Sequence, residues 1–280
     1  QRRRRPACLA SRPRFPGFFF LRNLYRGRGL IYQLVRRDFR QRYIGSIVGW
    51  LWGVVHPLTL LAVYTFVFQY AFGAKLPPEE VTDNYPLFLF CGMLPWMLFS
   101  DSLQRSAVSL PEYANLIKKS VFPSEVVALA VFLSGLVSHL LAVALVVVAA
   151  GVWAGVWSAS LWALPIYLIL LGFFSLGLSW ALAALNVYLR DTAQVLAVTL
   201  TAWFWLTPIF LSETRLVELI PGAVAWNPLA YFVRGYRSLI LGGGLPSASD
   251  FAALAAFGFG SLVLGGLFFR HSKRGFADVL

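Results

Sequence analysis

Four arginines within seven positions are the residues with the clearest chemistry in this chain. Arg36, Arg37, Arg40 and Arg42 occur in the segment RRDFRQR. Guanidinium groups present paired N–H donors that fit phosphate oxygens in a bidentate way. The cluster therefore predicts a site that binds phosphate groups. Its alternative interpretation is an anchor resting on anionic lipid.

The apolar part of the chain offers little for ion coupling or metal binding. Its ionisable side chains well inside the predicted spans are His56 and His139, with Asp101 and Arg105 near one end of the second span. Ion-coupled carriers usually keep carboxylates at mid-membrane. A lone histidine in such a span is more often a hydrogen-bonded packing residue than a ligand. The sequence thus disfavours ion coupling and a metal site.

The sequence also lacks the motif of a nucleotide-binding loop. None of the four lysines follows a glycine, so the Gly-Lys of a phosphate-binding loop does not occur. We therefore expect no cofactor in this chain, with ATP and magnesium bound by a separate ATPase subunit. Cys8 and Cys91 have no second thiol nearby, which excludes a disulfide framework.

Composition places the chain in a membrane. Apolar residues make up 59% of the 280 residues and charged residues 13%, against about 25% charged in soluble domains. The first 42 residues carry 13 basic residues and one acid, and the remainder is neutral. The basic charge therefore belongs to an arm rather than to a nucleic-acid-binding surface. We interpret residues 1–22 as an uncleaved basic cytoplasmic arm.

Long charge-free stretches predict the membrane spans. A helix needs about 20 apolar residues to cross the hydrocarbon core. The 64-residue run from 126 to 189 contains the patch GVWAGVWSASLW, which predicts a hairpin between two crossings. The predicted spans are 47–72, 85–105, 125–150, 162–186, 193–212 and 251–269. The fold class is an all-α polytopic membrane protein with six transmembrane helices in a domain of residues 45–280.

Lysine and arginine positions predict the orientation. With the N-terminus inside, 20 basic residues lie on the cytoplasmic side and four lie outside, namely Lys75, Arg215, Arg234 and Arg237. Cytoplasmic connections carry such an excess. We expect both termini to be cytoplasmic.

Two cytoplasmic segments have helical patterns. Residues 23–44 predict an amphipathic interfacial helix, with Ile31, Val35 and Phe39 on its apolar side. Ser109 and Glu112 form a capping box that predicts a separate, rigid helix over 109–122. Such a helix could transmit a push, and the alternative is an interfacial turn without a partner.

The long outer connection is apolar rather than polar. Residues 213–243 predict two short re-entrant helices, each too short to cross, with breaks at Pro221 and Pro228. Asn227 before a proline predicts an extended residue and a sharp chain reversal.

Five segments in this order resemble the membrane subunits of type-2 ABC transporters that export polysaccharide, a class that includes O-antigen, teichoic acid and capsule permeases. The segments are RRDFRQRYIGSIVGWLWGVVHPL, NLIKKSVFPSEV, NVYLRDTAQV, TPIFLS and WNPLAYFVRGYRSLILGG.

The resemblance implies a homodimer in the bacterial inner membrane with two ATPase subunits beneath it. It would move a lipid-linked polysaccharide, with O-antigen as the preferred cargo, from cytoplasm to periplasm through a channel at the dimer interface. Arg36, Arg37, Arg40 and Arg42 would collect the pyrophosphate of this substrate at the cytoplasmic entry. Coupling to the ATPase would fall to Glu112, Tyr113, Leu116, Ile117, Lys118 and Lys119. The outer gate would consist of Trp226, Asn227, Pro228, Tyr231 and Phe232.

Aromatic residues suit a glycan path because rings bind sugar faces without burying ions. We expect the path to contain Tyr43, Trp50, Trp52, Trp96, Phe99, Trp203 and Trp205. The alternative is an ordinary aromatic belt at the membrane interfaces.

Two other functions stay open. One is an ABC exporter of drugs or small lipids, which would share this architecture. The other is a membrane-embedded glycosyltransferase-type enzyme, which a metal held by Asp101 and Glu125 would favour.

Overall fold

The computed structural model of the chain describes residues 28–279 except 45, 47, 48, 79 and 120–122. The basic arm, residues 23–27 of the predicted interfacial helix and Leu280 lie outside the described residues. So do the side chains of Tyr43, Trp50, Leu116 and Lys119. Every regular element in the described part is helical, which confirms the all-α fold class.

The helices follow one another with short connections. In chain order they are α1 (Arg28–Tyr43), α2 (Trp52–Thr65, continued by a π-helix over Phe66–Ala71), α3 (Tyr85–Glu112), α4 (Ala114–Lys119), α5 (Glu125–Ala154), α6 (Leu164–Tyr188, preceded by a 3-10 turn over Ala159–Ala163), α7 (Thr192–Trp205), α8 (Glu213–Leu219), α9 (Pro228–Leu241), α10 (Ala248–Ser272) and α11 (Phe276–Val279).

Five of these elements are long and apolar enough to cross a membrane: α2 with its π-helix, α3, α5, α6 with its 3-10 turn, and α10. They confirm a polytopic membrane protein. Helix α7 has 14 residues, or about 21 Å, which is shorter than the roughly 30 Å hydrocarbon core. The total of six spans stays a prediction.

Two helices end at residues other than the ends of the predicted spans. Helix α3 continues past residue 105 to Glu112, because Asp101 and Arg105 form ion pairs and do not end the helix. Helix α7 ends at Trp205 rather than at 212. Pro208 follows, and the residue before a proline is disfavoured in the helical conformation.

Local signals explain where the other helices begin and end. The Asn84 side chain accepts a hydrogen bond from the Leu87 amide at the start of α3, and Ser247 caps α10 in the same way. Gly155 and Gly242 end α5 and α9 in the left-handed conformation, which glycine adopts without strain.

Helix α3 is the centre of the fold. In its most apolar window 78% of residues are buried, against 11% for α2 and 17% for α10. These two helices therefore present most of their apolar surface outward. Helix α10 lies so close to α6 that a Cβ at Gly265 would come within 1.9 Å of the Gly177 carbonyl oxygen.

Side-chain contacts define two ends of the bundle. At the α4 end, Lys273 after α10 bonds both carboxylate oxygens of Glu125 at 2.8 Å. At the α8 end, Arg234 joins Glu213 and Asp250. The predicted cytoplasmic segments lie at the α4 end and the predicted outer segments at the α8 end.

Candidate functional site

A cleft of about 660 Å³ opens between α2, α3 and α5. It runs from charged residues near the α4 end to aromatic residues deeper in the bundle. Asp101 and Met93, both in its wall, are eight residues apart on α3, which is about 12 Å along the helix. The other walls include Trp52, His56, Tyr64, Trp96, Gln104, Ser138, His139 and Phe204.

One face of α2 forms a wall of this cleft. Trp52, His56, Leu60 and Tyr64 all line it, and their four-residue spacing places them on one side of a helix. Of these four residues, Trp52 alone was predicted as a path residue. The four-residue spacing was the signal for the other three.

An aromatic cluster extends the cleft toward the α8 end. The Trp96 and Phe204 rings are 5.3 Å apart. The Phe210 ring lies 4.9 Å from Tyr64 and stacks on Phe68 at 4.6 Å and Trp205 at 5.1 Å. We call these six residues the aromatic track: Tyr64, Phe68, Trp96, Phe204, Trp205 and Phe210.

The predicted path residues lie in four different environments. Trp52 and Trp96 line the cleft, and Trp205 belongs to the track. Phe99 is fully buried and stacks on Phe174, so it packs the core and its assignment to the path is wrong. The Trp203 indole N–H donates to Asn227, which makes it a link between helices.

Four charged side chains meet at the α4 end of the cleft. Arg42 donates to Asp101 at 2.8 Å, and Arg105 donates to Asp38. Two looser ion pairs, Arg42 with Asp38 at 3.7 Å and Arg105 with Asp101 at 3.8 Å, close the square. We call Asp38, Arg42, Asp101 and Arg105 the ion-pair cluster. It joins α1 to α3.

The structure divides the predicted arginine group. Arg36, Arg37 and Arg40 are exposed, whereas Arg42 points into the ion-pair cluster. The four arginines therefore do not share one environment, and their role as the cytoplasmic entry stays a prediction. The opposite side of α1 buries Leu34 against residues of α5, so α1 is packed on the bundle rather than held by lipid alone.

The predicted coupling segment has different bounds from those expected. Ser109 does not start a helix, because its hydroxyl bonds the Ser106 carbonyl inside α3, and burial of Leu110 stabilises the continuation to Glu112. Among the described residues of this segment, the separate helix is α4. A single helix over 109–122 is thus wrong, while the coupling role stays a prediction.

The coupling residues point in two directions. Glu112 and Lys118 are exposed, whereas Tyr113 and Ile117 pack against apolar clusters beneath α5 and α6. The Arg37 guanidinium lies 5.5 Å from the Tyr113 ring. Burial raises the pKa of the Tyr113 phenol, so the phenol stays neutral at physiological pH.

Asn227 organises the predicted outer gate. Its backbone is extended at φ −97° and ψ 103°, which confirms that prediction. Its side chain accepts from the Trp203 indole and the Leu229 amide, and donates to the Leu206 carbonyl and the Thr207 hydroxyl. Asn227 therefore joins the end of α7 to the start of α9, with Pro228 in the first turn of α9.

The other gate residues differ in exposure. Trp226 is 85% exposed. The Tyr231 hydroxyl donates to the Ala225 carbonyl at 3.0 Å. Phe232 is fully buried, 6.2 Å from Phe174. The prediction that Phe232 lies over the opening is wrong, since it packs inside the bundle.

Two arginines of α9 were missed as structural residues. Arg237 is buried and donates to the carbonyls of Phe88 and Ile209 at 3.2 and 2.8 Å. Arg234 joins the acids of α8 and α10. Burial disfavours its charge, but hydrogen bonds to Glu213 outweigh that effect and raise its pKa above the usual range. Both hold α9 in place.

The pairing that would have favoured a metal-dependent enzyme does not form. Asp101 pairs with Arg42 and Glu125 pairs with Lys273. Among the residues that the structure describes, no group of three or more metal-ligating side chains is close enough to hold an ion.

The helices, the cleft and the apolar outer faces of α2 and α10 define a multi-pass membrane protein of transporter type. Residues 29–241 match the family described as ABC-2 type transporter. The chain belongs to this family of ABC transporter membrane subunits, as the sequence resemblance predicted.

Relatives align over almost the whole chain. An O-antigen export system permease protein RfbA from Myxococcus xanthus is 31% identical over 92% of this chain and 98% of its own length. An RfbA protein from Klebsiella pneumoniae is 30% identical over 90% and 95%. The polysialic acid transport protein KpsM of Escherichia coli is 22% identical over 86% and 92%.

Proposed function

We propose that this chain is the membrane subunit of an ATP-driven exporter that moves a lipid-linked polysaccharide from cytoplasm to periplasm, with O-antigen as the preferred cargo. It acts as a homodimer in the bacterial inner membrane with both termini cytoplasmic. Two ATPase subunits bind ATP and magnesium and contact the α4 end. The chain itself supplies the path and no catalytic residue.

The aromatic track is the observation that carries the proposal. The rings of Tyr64, Phe68, Phe204 and Trp205 are at least partly exposed and would provide flat, weakly polar surfaces against which sugar C–H groups stack. The buried rings of Trp96 and Phe210 support them from the core. From Trp52 to Tyr64, along α2, the cleft wall extends about 18 Å, and the Phe68 ring lies one turn farther along the same helix. A path for a small apolar drug would need no such succession. The names of the relatives, which specify O-antigen and polysialic acid, point to the same class of cargo.

The outer faces of α2 and α7 support a dimer around this track. Val63 and Phe66 on α2 and Val195 and Val198 on α7 are each at least half exposed. In a homodimer these faces meet the same faces of a second copy, since two-fold interfaces are self-complementary. The two tracks then face one channel.

Energy reaches the path through α4. Lys118 and Glu112 are available to a partner, while Ile117 and Tyr113 contact the bundle. Tyr113 also touches the apolar side of α1. A push on α4 is therefore passed to α1 and to the ion-pair cluster at the mouth of the cleft.

ATPase stimulation of the reconstituted complex tests this function. The permease and its ATPase, co-purified into nanodiscs, are titrated with lipid-linked O-antigen and, separately, with hydrophobic drugs. We expect stimulation by the glycan lipid alone. Replacing Tyr64 and Phe204 together by leucine should raise the half-saturating glycan concentration about tenfold, because each ring contact contributes about 0.5–1.5 kcal/mol.

Trp153→Leu is the matched control, since this ring is 71% exposed and lies away from the track. It should leave the titration unchanged. Stimulation by drugs but not by glycan lipid would favour the small-molecule exporter and contradict the proposal.

A further inference from the structure

We propose that Arg42 and Arg105 form a phosphate-binding site at the mouth of the cleft, which takes the diphosphate of a lipid-linked substrate in exchange for Asp101. The inference rests on the proposed function and names the binding position of that substrate's head group. It differs from the exposed arginine surface of α1, because one arginine comes from α3 and both line the cleft.

The two guanidinium groups already surround an anion. Asp101 Oδ2 lies 2.8 Å from Arg42 Nη2 and 3.8 Å from Arg105 Nη1. This oxygen belongs to the protein and accepts a hydrogen bond from Arg42, while Arg105 is close enough only for an ion pair. A phosphate oxygen carries the same sign of charge and accepts from guanidinium donors of the same kind. The geometry is thus that of an anion held by two arginines from two helices.

The two carboxylates of the cluster have different positions. The Asp38 side chain is 12% exposed and that of Asp101 is 38% exposed. Asp101 lines the cleft, whereas Asp38 contacts both arginines from outside the cleft wall. Asp38 is therefore a positioning residue that fixes the two guanidinium groups. Asp101 is the carboxylate that a ligand entering the cleft can replace.

Each arginine has one N–H donor that is available to a ligand. Arg42 Nε and Arg105 Nη1 are buried and have no hydrogen-bond partner within the described part of the chain. Buried donors are usually satisfied, and a diphosphate has enough acceptor oxygens for both. Space for a ligand lies on the cleft side of the pair, since Arg42, Asp101 and Arg105 all line the cleft, whereas on the side of α5 the pair packs closely against Gly135, where a Cβ would lie 3.3 Å from Asp101 Oδ2.

Charge and shape favour an anionic head group with a sugar attached. The ion-pair cluster is neutral, and displacement of Asp101 leaves it with one net positive charge. Beyond the cluster the cleft continues along α3 to Trp96 of the aromatic track, five residues or about 7.5 Å from Asp101, with Tyr64 of the track in the opposite wall. A diphosphate on the arginines would place the first sugar at the start of that track.

Direct binding to the purified full chain tests the site. The protein in phosphatidylcholine nanodiscs is titrated with farnesyl diphosphate by calorimetry. Arg105→Lys keeps the charge but loses the paired donors, so we expect about tenfold weaker binding. Asp101→Asn removes the competing carboxylate, so we expect about fivefold tighter binding. Arg270→Lys, an exposed change at the same end of the bundle, should have no effect.

The sign of the Asp101→Asn effect separates this site from a purely structural ion pair. Unchanged or weaker binding by Asp101→Asn would overturn the proposal, as would equal binding of farnesol. Inorganic diphosphate binding as tightly as farnesyl diphosphate would assign the site to a free anion, and competition by phosphatidylglycerol would assign it to bulk lipid. Either result would overturn the lipid-linked assignment. Melting curves of each variant verify that it is folded.

Failure of the site and failure of the function are distinguishable. The titration uses neither the ATPase nor a polysaccharide. Loss of glycan stimulation with intact farnesyl diphosphate binding would contradict the proposed function alone. Intact stimulation with no diphosphate binding would contradict the site alone.

Discussion

Replacing Asn227 by alanine removes four hydrogen bonds at once, three to residues in or just after α7 and one that caps α9. The lost partners are the Trp203 indole at 2.9 Å and the Leu229 amide, the Leu206 carbonyl and the Thr207 hydroxyl, each at 3.1 Å. Asn227 itself is buried. Alanine provides neither the helix cap nor the two amide donors.

The expected loss of stability follows from these contacts. A neutral hydrogen bond contributes about 1 kcal/mol net, and the loss of a helix cap alone costs about 1 kcal/mol. Water can reach the half-exposed Trp203 and recover part of this. We expect Asn227→Ala to lower the free energy of unfolding by about 3 kcal/mol. On the scale for large soluble domains this is about 6–12 °C in melting temperature.

Tryptophan fluorescence during heating of the protein in nanodiscs measures this change. Asn227→Asp keeps the acceptor for Leu229 and Trp203 but loses the donors, so it should lose about half as much. Trp226→Ala is the neighbouring control, because that side chain is 85% exposed and exposed changes usually stay within about 0.5 kcal/mol. Each melting temperature carries an error of about one degree, so two values within about 2 °C are equal. A melting temperature of Asn227→Ala within about 2 °C of wild type would contradict the expected loss of stability.

Three further changes have distinct expected results. Gly265→Ala should destabilise the protein by about 3 kcal/mol, because its Cβ would lie 1.9 Å from the Gly177 oxygen; thermal unfolding measures it. Arg234→Gln should cost about 1–2 kcal/mol by loosening α8, α9 and α10, an effect that high salt should reduce. Lys118→Glu should lower ATPase co-purification severalfold with unchanged melting, because Lys118 is exposed.

Each of these changes has a matched control. Gly260→Ala lies on the same helix with open space around it and should stabilise by up to about 1 kcal/mol. Arg215→Gln breaks an exposed pair with Glu218 and should cost at most about 0.5 kcal/mol. Lys75→Glu reverses an exposed charge in another loop and should leave co-purification intact. Equal effects of variant and control would contradict the corresponding argument.

Local patterns were sufficient to predict much of the fold. Charge-free runs identified the long helices because uncompensated charges are excluded from spans. The extended Asn227 before Pro228 followed from local sterics. These features depend on neighbours in sequence, so the sequence contains them.

The errors concern contacts between distant residues. Asp101 is 59 positions from Arg42 and Arg105 is 67 from Asp38, and no spacing rule indicates such pairs. The same cause produced the false helix start at Ser109, where a motif that usually caps a helix lies inside one stabilised by tertiary burial. The burial of Phe232 depends on how α9 packs, which the local sequence does not indicate. For this reason Phe232 was wrongly assigned to the gate.

The candidate site was only partly predictable for the same reason. Trp52 and Trp96 were named from residue type, whereas Tyr64 and Phe204 join them through the packing of α2, α3 and α7. Aromatic residues are common in membrane proteins. Residue type alone therefore could not separate Phe99 in the core from Trp96 in the cleft.

Surface display of polysaccharide tests the central claim most directly. In cells that make O-antigen but lack their own permease, this chain is expressed with its partner ATPase, and surface O-antigen is measured by flow cytometry. We expect the two proteins together to restore display, and we expect display to be lost when the ATPase cannot hydrolyse ATP. O-antigen that stays inside the cells with both proteins present and correctly inserted, or display without ATP hydrolysis, would contradict the central claim.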